Sequence, residues 1–188
     1  MKSSLDNPDF LIIGGGIFGC SIAWNLARRT SGSVLLLERR ELATATTPRA
    51  AGLIRNLNLK KGQTPLKTLT IEAISLLGDE LEETLQWHQV GGLLVAESEA
   101  NIIHLETLER HAIEHRQKFQ WIDRTDAEEM VPWLDGASAG KFALLPDDGF
   151  IDPYLFTQFY ARAARKHGAL LKTGIEVIAL QNSGNRIT

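Results

Sequence analysis

The chain has 188 residues, 44% hydrophobic and 23% charged, with a formal net charge of −3. This is globular composition, long enough for one to two domains, and with no block of like charges it excludes a nucleic-acid footprint and a polybasic membrane patch. The single cysteine, Cys20, excludes an internal disulfide and a cysteine-based metal cluster; Met1–Asp9 is mostly polar, unlike a signal peptide, and no run reaches the ~18 apolar residues of a membrane span, so a soluble, cytoplasmic protein is expected.

Residues 9–13 read as a short buried strand. Residues 17–29 read as a helix, with Ile22, Ala23, Leu26 and Ala27 at helical spacing. Val34–Leu37 is a continuous apolar strand of the kind buried in a parallel sheet. The three form a βαβ unit, whose crossover is right-handed in nearly all cases. Residues 39–64 are irregular, rich in turn and cap residues. Pro65 opens a long helix to about Gln86, and Gly91–Gly92 lead into a strand at Leu93–Ala96. An amphipathic helix is expected over 99–118, a strand near Trp121–Asp123, a small helix near Asp126–Trp133, and a strand near Lys141–Leu145. Asp152 as N-cap and Pro153 in the first turn start a helix that ends at His167, with Gly168 beyond it. Strands around Leu170–Lys172 and Glu176–Leu180 follow, then a turn at Gly184-Asn185-Arg186. The ending reads as a sheet cut in the middle.

Gly14-Gly15-Gly16-Ile17-Phe18-Gly19 has the form G-x-G-x-x-G. A glycine-rich turn alone says little. Here a strand precedes it, a helix follows, and the next strand ends in Glu38. Gly14 permits the tight turn, Gly16 lets the main chain approach a pyrophosphate, and Gly19 lets the helix pack on the strand. The helix N-terminus offers N–H groups and a positive dipole end to phosphates. Glu38 can accept hydrogen bonds from a ribose diol, and its charge disfavours the 2′-phosphate of NADP. The fingerprint does not separate FAD from NAD.

Residues 42–55 contain Thr46, Thr47 and then Ala50-Ala51-Gly52-Leu53-Ile54-Arg55. Thr46 and Thr47 carry hydroxyls that can donate, and the little side chain of Ala50, Ala51 and Gly52 lets the main chain come close to a ligand. This segment resembles the second cofactor motif of the D-amino-acid oxidase-like family of FAD-dependent oxidoreductases, of the glycine oxidase, sarcosine oxidase and dimethylglycine dehydrogenase type. Val90-Gly91-Gly92-Leu93 is similar to that family's substrate-domain strand, and Gly149-Phe150-Ile151-Asp152-Pro153 to its return into the cofactor domain. Glu176-Val177 is similar to the strand that meets the adenine end.

The resemblance implies an α/β fold: a doubly wound, Rossmann-like FAD-binding domain with part of an α+β substrate domain inserted. It implies that 1–86 and 147–188 form the FAD domain, incomplete here, and that 87–146 begin the substrate domain. FAD contacts carry over to Ile17, Phe18, Glu38, Arg39, Thr46, Thr47, Ala51, Gly52, Leu53 and Val177, beside Gly14, Gly16 and Gly19. Some relatives tether flavin through a histidine just before Ala-Ala-Gly. Arg49 stands there in this chain, so non-covalent FAD is expected. The implied reaction is oxidation of a small amine or amino acid at the C–H next to nitrogen, with dioxygen or another acceptor taking the electrons. Relatives are about twice this length, so the segment is expected to be inactive alone, and its catalytic residues are not identified. A flavin dehydrogenase of a 2-hydroxy acid or glycerol phosphate is the alternative, and a truncated, non-catalytic product is another.

Other signals have plainer readings. His111-Ala112-Ile113-Glu114-His115 has the form H-x-x-E-H. The helix around it is rich in Glu and Arg, which favours a solvated face, and no metal site is expected. Cys20 in the first helical turn reads as a small packed residue, Trp87-His88 as packing, and Arg55 as a surface or ion-pair cation.

Overall fold

The computed structural model describes residues 7–59, 63–134, 140–184 and 186–187. They form two compact units. The first takes Met1–Ala51, Leu76–Leu85 and Asp152–Thr188, and the second Gly52–Ser75 and Gln86–Ile151.

The first unit is built on a parallel sheet. Strands β1 (Phe10–Ile13) and β2 (Val34–Leu37) flank helix α1 (Ile17–Arg29) in sequence. Later in the chain come strand β8 (Leu170–Lys172) and the helix before it, α5 (Pro153–Lys166). The sheet order is β1-β2-β8, with Phe10 opposite Val34 and Leu35 opposite Leu170. The apolar run of β2 explains its central place, since its first three residues are buried.

Helices α1 and α5 pack together. Both present small residues, and Ala23, Ala161 and Ala164 are fully buried. Alanines bring the two backbones close. Trp24 fills the space beside them, its ring 5.4 Å from that of Tyr160. Burying a side chain of this size contributes roughly 1.5–3 kcal/mol or more. Trp24 Nε1–H is not orphaned, because it donates to Glu80 Oε2 at 2.8 Å. Asp152 caps α5 as expected, its carboxylate accepting Leu155 N–H at 2.9 Å.

The second unit is antiparallel. Strands β4 (Gly92–Ala96), β5 (Gln120–Ile122) and β6 (Lys141–Leu145) lie in the order β4-β6-β5. Helix α3 (Glu99–Glu114) buries Leu105, Leu108 and Ala112 against Ala96, Ala143 and Leu145. A short helix, α4 (Arg124–Met130), is capped by Asp123, whose side chain accepts Asp126 N–H. Two-residue strands β3 (Leu53–Ile54) and β7 (Gly149–Phe150) pair antiparallel. Gly149 is required there: a Cβ would lie 2.2 Å from the carbonyl oxygen of His88. His88 exchanges backbone bonds with Phe150 and stacks its ring on it at 4.6 Å. His88 thus packs on Phe150. Helix α2 (Gln63–Leu81) contributes to both units along the chain.

Four expectations need correction. The strand expected to be buried at 9–13 buries only Ile12 of β1, with Phe10, Leu11 and Ile13 exposed among the described residues. The helix expected to reach Gln86 stops at Leu81, where Glu82 turns left-handed (φ 56°) and Glu83 N–H returns to the Gly78 carbonyl. The helix expected to reach residue 118 stops at Glu114, with Arg116 left-handed (φ 54°) and Gln117 N–H bonded to the Ala112 carbonyl. Both ends use a non-glycine residue where glycine is the readable signal. Residues 176–180, expected as a strand, run without a ladder, and Ile178 is 91% exposed. Their anchor lies just before them, where Ile175 N–H donates to the Glu38 carbonyl at 3.0 Å. The final turn pairs β9 (Asn182–Ser183) with β10 (Arg186–Ile187) around Gly184 (φ 66°), and Asn185 lies outside the described residues.

Candidate functional site

A cleft of ≈670 Å³ opens at the carboxyl ends of β1 and β2, where Ile13 and Leu37 form part of its wall. Ligands of open parallel sheets bind at such ends, and the volume is in the usual range for a small-molecule site.

The glycine turn forms the floor. Gly14 takes φ 105° while its N–H bonds the Leu37 carbonyl at 2.8 Å. A side chain there would be strained. At Gly19 the reason is space, since a Cβ would lie 1.9 Å from the Gly14 carbonyl oxygen. Gly16 is the extended N-cap of α1 and has no side-chain cap. The first intrahelical bond runs from Cys20 N–H to the Gly16 carbonyl at 3.0 Å. The N–H groups of Ile17, Phe18 and Gly19 therefore precede the helix ladder and face the cleft end of the helix. Thr47 Oγ1 accepts the Ile17 N–H at 3.3 Å. It comes from a single 3-10 turn, Thr47–Arg49.

Glu38 stands at the end of β2. Its Oε2 accepts Gly15 N–H at 2.7 Å, and its Oε1 accepts Arg40 N–H at 2.8 Å. Burial pushes this carboxyl up. The N–H groups of Gly15 and Arg40, with the Arg39 charge nearby, outweigh it and hold the carboxyl below its ordinary range. Each oxygen retains lone-pair capacity, so an ionised acceptor can still take hydroxyl donors. Gly15 has no room either. A Cβ would meet Leu42 Cδ2 at 2.4 Å and Glu38 Cβ at 3.0 Å.

The structure brings most of the expected residues to this one cleft. Gly14, Gly16, Ile17, Phe18 and Gly19 come from the turn and the first turn of α1. Glu38, Arg39, Thr46, Thr47 and Val177 line the rest. Phe18 is 83% exposed, so its ring belongs to the cleft rim and not to the core. Ala51, Gly52 and Leu53 are not among the cleft residues. Gly52 (φ 72°) gives its carbonyl to Ile151 N–H, and Leu53 pairs with Phe150 in the second unit.

Residues not assigned a cofactor contact from the sequence also line the cleft: Ala43, Thr44, Ala45, Ile175 and Glu176. Thr44 and Ala45 lie inside the motif already quoted, and their small or hydroxylated character was the available signal. Ala43 gave none. It is buried, left-handed (φ 60°), and its N–H donates to the Gly15 carbonyl at 2.9 Å. Glu176 forms an exposed pair with Arg39 at 3.6 Å, a contact that contributes little in water.

The donor set fits an adenine dinucleotide. The glycine cradle admits a phosphate to main-chain N–H groups, and a depressed carboxyl at the strand end suits a ribose diol. Residues 9–188 match the family described as FAD dependent oxidoreductase, and the chain belongs to that family. Its cofactor is FAD and its Rossmann-type fold is the one expected. The chain is 32% identical over 180 residues to the mitochondrial dimethylglycine dehydrogenase of Homo sapiens, covering 94% of this chain and 20% of that one. It is 30% identical over 181 residues to one component of the anaerobic glycerol-3-phosphate dehydrogenase of Escherichia coli (strain K12), covering 95% and 32%. The crystal structure of L-proline dehydrogenase from P. horikoshii superposes with a TM-score of 0.86 at 25% identity, covering 95% of this chain and 47% of that one. The chain thus spans between one fifth and one half of the length of these relatives. Among the described residues, no helix is long and apolar enough to cross a membrane.

Proposed function

We propose that this chain is the FAD-binding N-terminal part of an oxidoreductase that oxidises a small amine or amino acid. The observation that carries the cofactor half is the joint of Glu38, Gly15 and Thr47 at the N-terminus of α1, which presents a carboxylate and helix N–H groups to one cleft. The amine half is supported by the similarity to dimethylglycine dehydrogenase.

In this reading Gly14, Gly16, Gly19, Ile17 and Phe18 hold the pyrophosphate, and Glu38 with Arg39 holds the adenosine ribose. Thr46 and Thr47 donate to phosphate or ribitol, and Val177 meets the adenine end. Ala51, Gly52 and Leu53 follow Ala50 directly in the chain and are assigned to the flavin by the family resemblance. Segments 1–86 and 147–188 take the cofactor role, and 87–146 begin the substrate side. FAD supplies, when bound, an acceptor for the hydride of a C–H next to nitrogen. Binding is expected to be non-covalent, with Arg49 where some relatives place a tethering histidine.

The test is the visible absorption spectrum of the purified chain before and after heat denaturation. A flavin spectrum whose chromophore passes into the supernatant supports the reading. A colourless chain that takes up NAD but not added FAD would sink it.

A second reading, oxidation of a hydroxy compound such as glycerol phosphate or a 2-hydroxy acid, is favoured by the similarity to the E. coli glycerol-3-phosphate dehydrogenase. Screening substrates on a longer protein that carries this segment separates the two. The 188-residue chain by itself is expected to show no substrate-dependent flavin reduction.

A further inference from the structure

The C-terminal turn of α3 brings three metal-ligating side chains together. One ligand atom each from His111, Glu114 and His115 lies within 4.8 Å of the others. The rings of His111 and His115, one helical turn apart, have centroids 4.3 Å apart. Glu114 Oε2 is 3.7 Å from His111 Nδ1.

The hydrogen bonding behind His111 fixes which nitrogen faces this cluster. Thr64 is buried, and its Oγ1–H donates to the Asn58 carbonyl at 3.0 Å. The same oxygen accepts Asn58 N–H at 3.2 Å. A hydroxyl has one proton and two lone pairs. The remaining contact of Thr64 Oγ1, to His111 Nε2 at 3.3 Å, can then only be an accepted bond. In that arrangement a neutral His111 carries its proton on Nε2 and turns its Nδ1 lone pair toward Glu114. A metal-bound histidine characteristically donates its other N–H to a protein oxygen in this way.

The geometry points to a zinc site formed by His111 Nδ1, a ring nitrogen of His115 and a carboxylate oxygen of Glu114, with water completing the tetrahedron. Bonds of about 2 Å around such a centre put ligand atoms a little over ~3 Å apart, so the present atoms, within 4.8 Å of one another, have to close by side-chain rotation as the ion binds. Imidazole with carboxylate is a donor set that zinc accepts. The position helps, since His115 is the C-cap of α3 and the helix C-terminus attracts cations. The surrounding Glu and Arg residues gave the motif the look of a solvated face, and the sequence could not show that Thr64 sits behind His111. This proposal does not rest on the flavin reading.

The test is calorimetric titration of the chain with zinc chloride, with thermal denaturation alongside. The expected result is one zinc per chain and a rise in melting temperature, because the ion binds the folded state. His111→Ala and His115→Ala each abolish stoichiometric uptake. Glu114→Gln, at an exposed position, weakens it without disturbing the fold. Thr64→Val weakens it roughly 10–100-fold, as loss of a supporting partner does, and circular dichroism identifies any variant that fails to fold. His104→Ala, at a histidine of α3 outside the cluster, changes nothing. No stoichiometric uptake by the wild-type chain, or uptake that persists in a folded His111→Ala/His115→Ala double variant, overturns the site.

Discussion

Gly15 N–H donates to Glu38 Oε2 at 2.7 Å, tying the glycine turn to the strand end that faces the cleft. A bond to a charged acceptor is worth about 1.5–3 kcal/mol. Glu38→Ala is therefore expected to weaken FAD binding at least ~10-fold, read by flavin fluorescence titration. Equal affinity in the variant would remove Glu38 from the site. Its lowered pKa also sets a sign. The stabilisation is present above the ordinary carboxyl range and is lost as pH falls through the lower, folded value. Wild type and Glu38→Gln should thus differ in stability at neutral pH and converge in acid.

Gly19→Ala places a methyl 1.9 Å from a backbone oxygen, where no side-chain rotation relieves it. Overpacking of this kind costs typically ~1–3 kcal/mol. Thermal denaturation should show the loss, and FAD affinity should fall because α1 shifts from the turn.

Cys20 is buried, and burial pushes its thiol up to about 12. Arg165 pulls the other way and Glu38 adds to the rise. A thiol-reactive chromogen should leave the native chain unlabelled and titrate one thiol per chain in denaturant. Prompt native labelling would contradict the packing.

Asp148 is buried, and its Oδ1 accepts Asn56 N–H at 2.8 Å. Burial raises its pKa, opposed by that bond and by Arg55 and Lys67. The sign is the reverse of Glu38: the ionised carboxylate is disfavoured, so this group's contribution weakens as pH rises from the ordinary carboxyl range through the folded value. Asp148→Asn keeps an acceptor for Asn56 without the charge and should be nearly neutral or stabilising at pH 7. Asp148→Ala leaves a buried N–H unpaired and should cost roughly 1–3 kcal/mol. Chemical denaturation of both variants measures the difference.

The parallel unit was legible because its signals are local. The βαβ bounds at 17–29 and 34–37 follow from periodicity and the glycine fingerprint, and Asp152-Pro153 announces α5. The ends of α2 and α3 were not legible, because Glu82 and Arg116 adopt a backbone conformation their chemistry does not favour, and the residues after them close the turn, Glu83 N–H on the Gly78 carbonyl and Gln117 N–H on the Ala112 carbonyl. Residues 176–180 carry a continuous apolar run, Val177–Leu180, like a buried strand, but pairing depends on a neighbouring edge that composition does not supply. In the cleft, the fingerprint residues were readable one by one. Ala43 was not, since its part is a main-chain bond made from a left-handed conformation (φ 60°) that an alanine does not announce.

The cradle also bears on which sequences can occupy this turn. In G-x-G-x-x-G the second position is written as free, but at Gly15 the space is taken by Leu42 Cδ2 and Glu38 Cβ. Both sides of its peptide group are engaged as well, the N–H by Glu38 and the carbonyl by Ala43 N–H. A methyl at position 15 requires the end of the Leu42 side chain to turn aside, and anything larger must also displace Glu38. Single-site libraries at position 15 should therefore return glycine and the smallest residues, whereas joint randomisation of 15 and 42 opens larger combinations that neither position reaches alone.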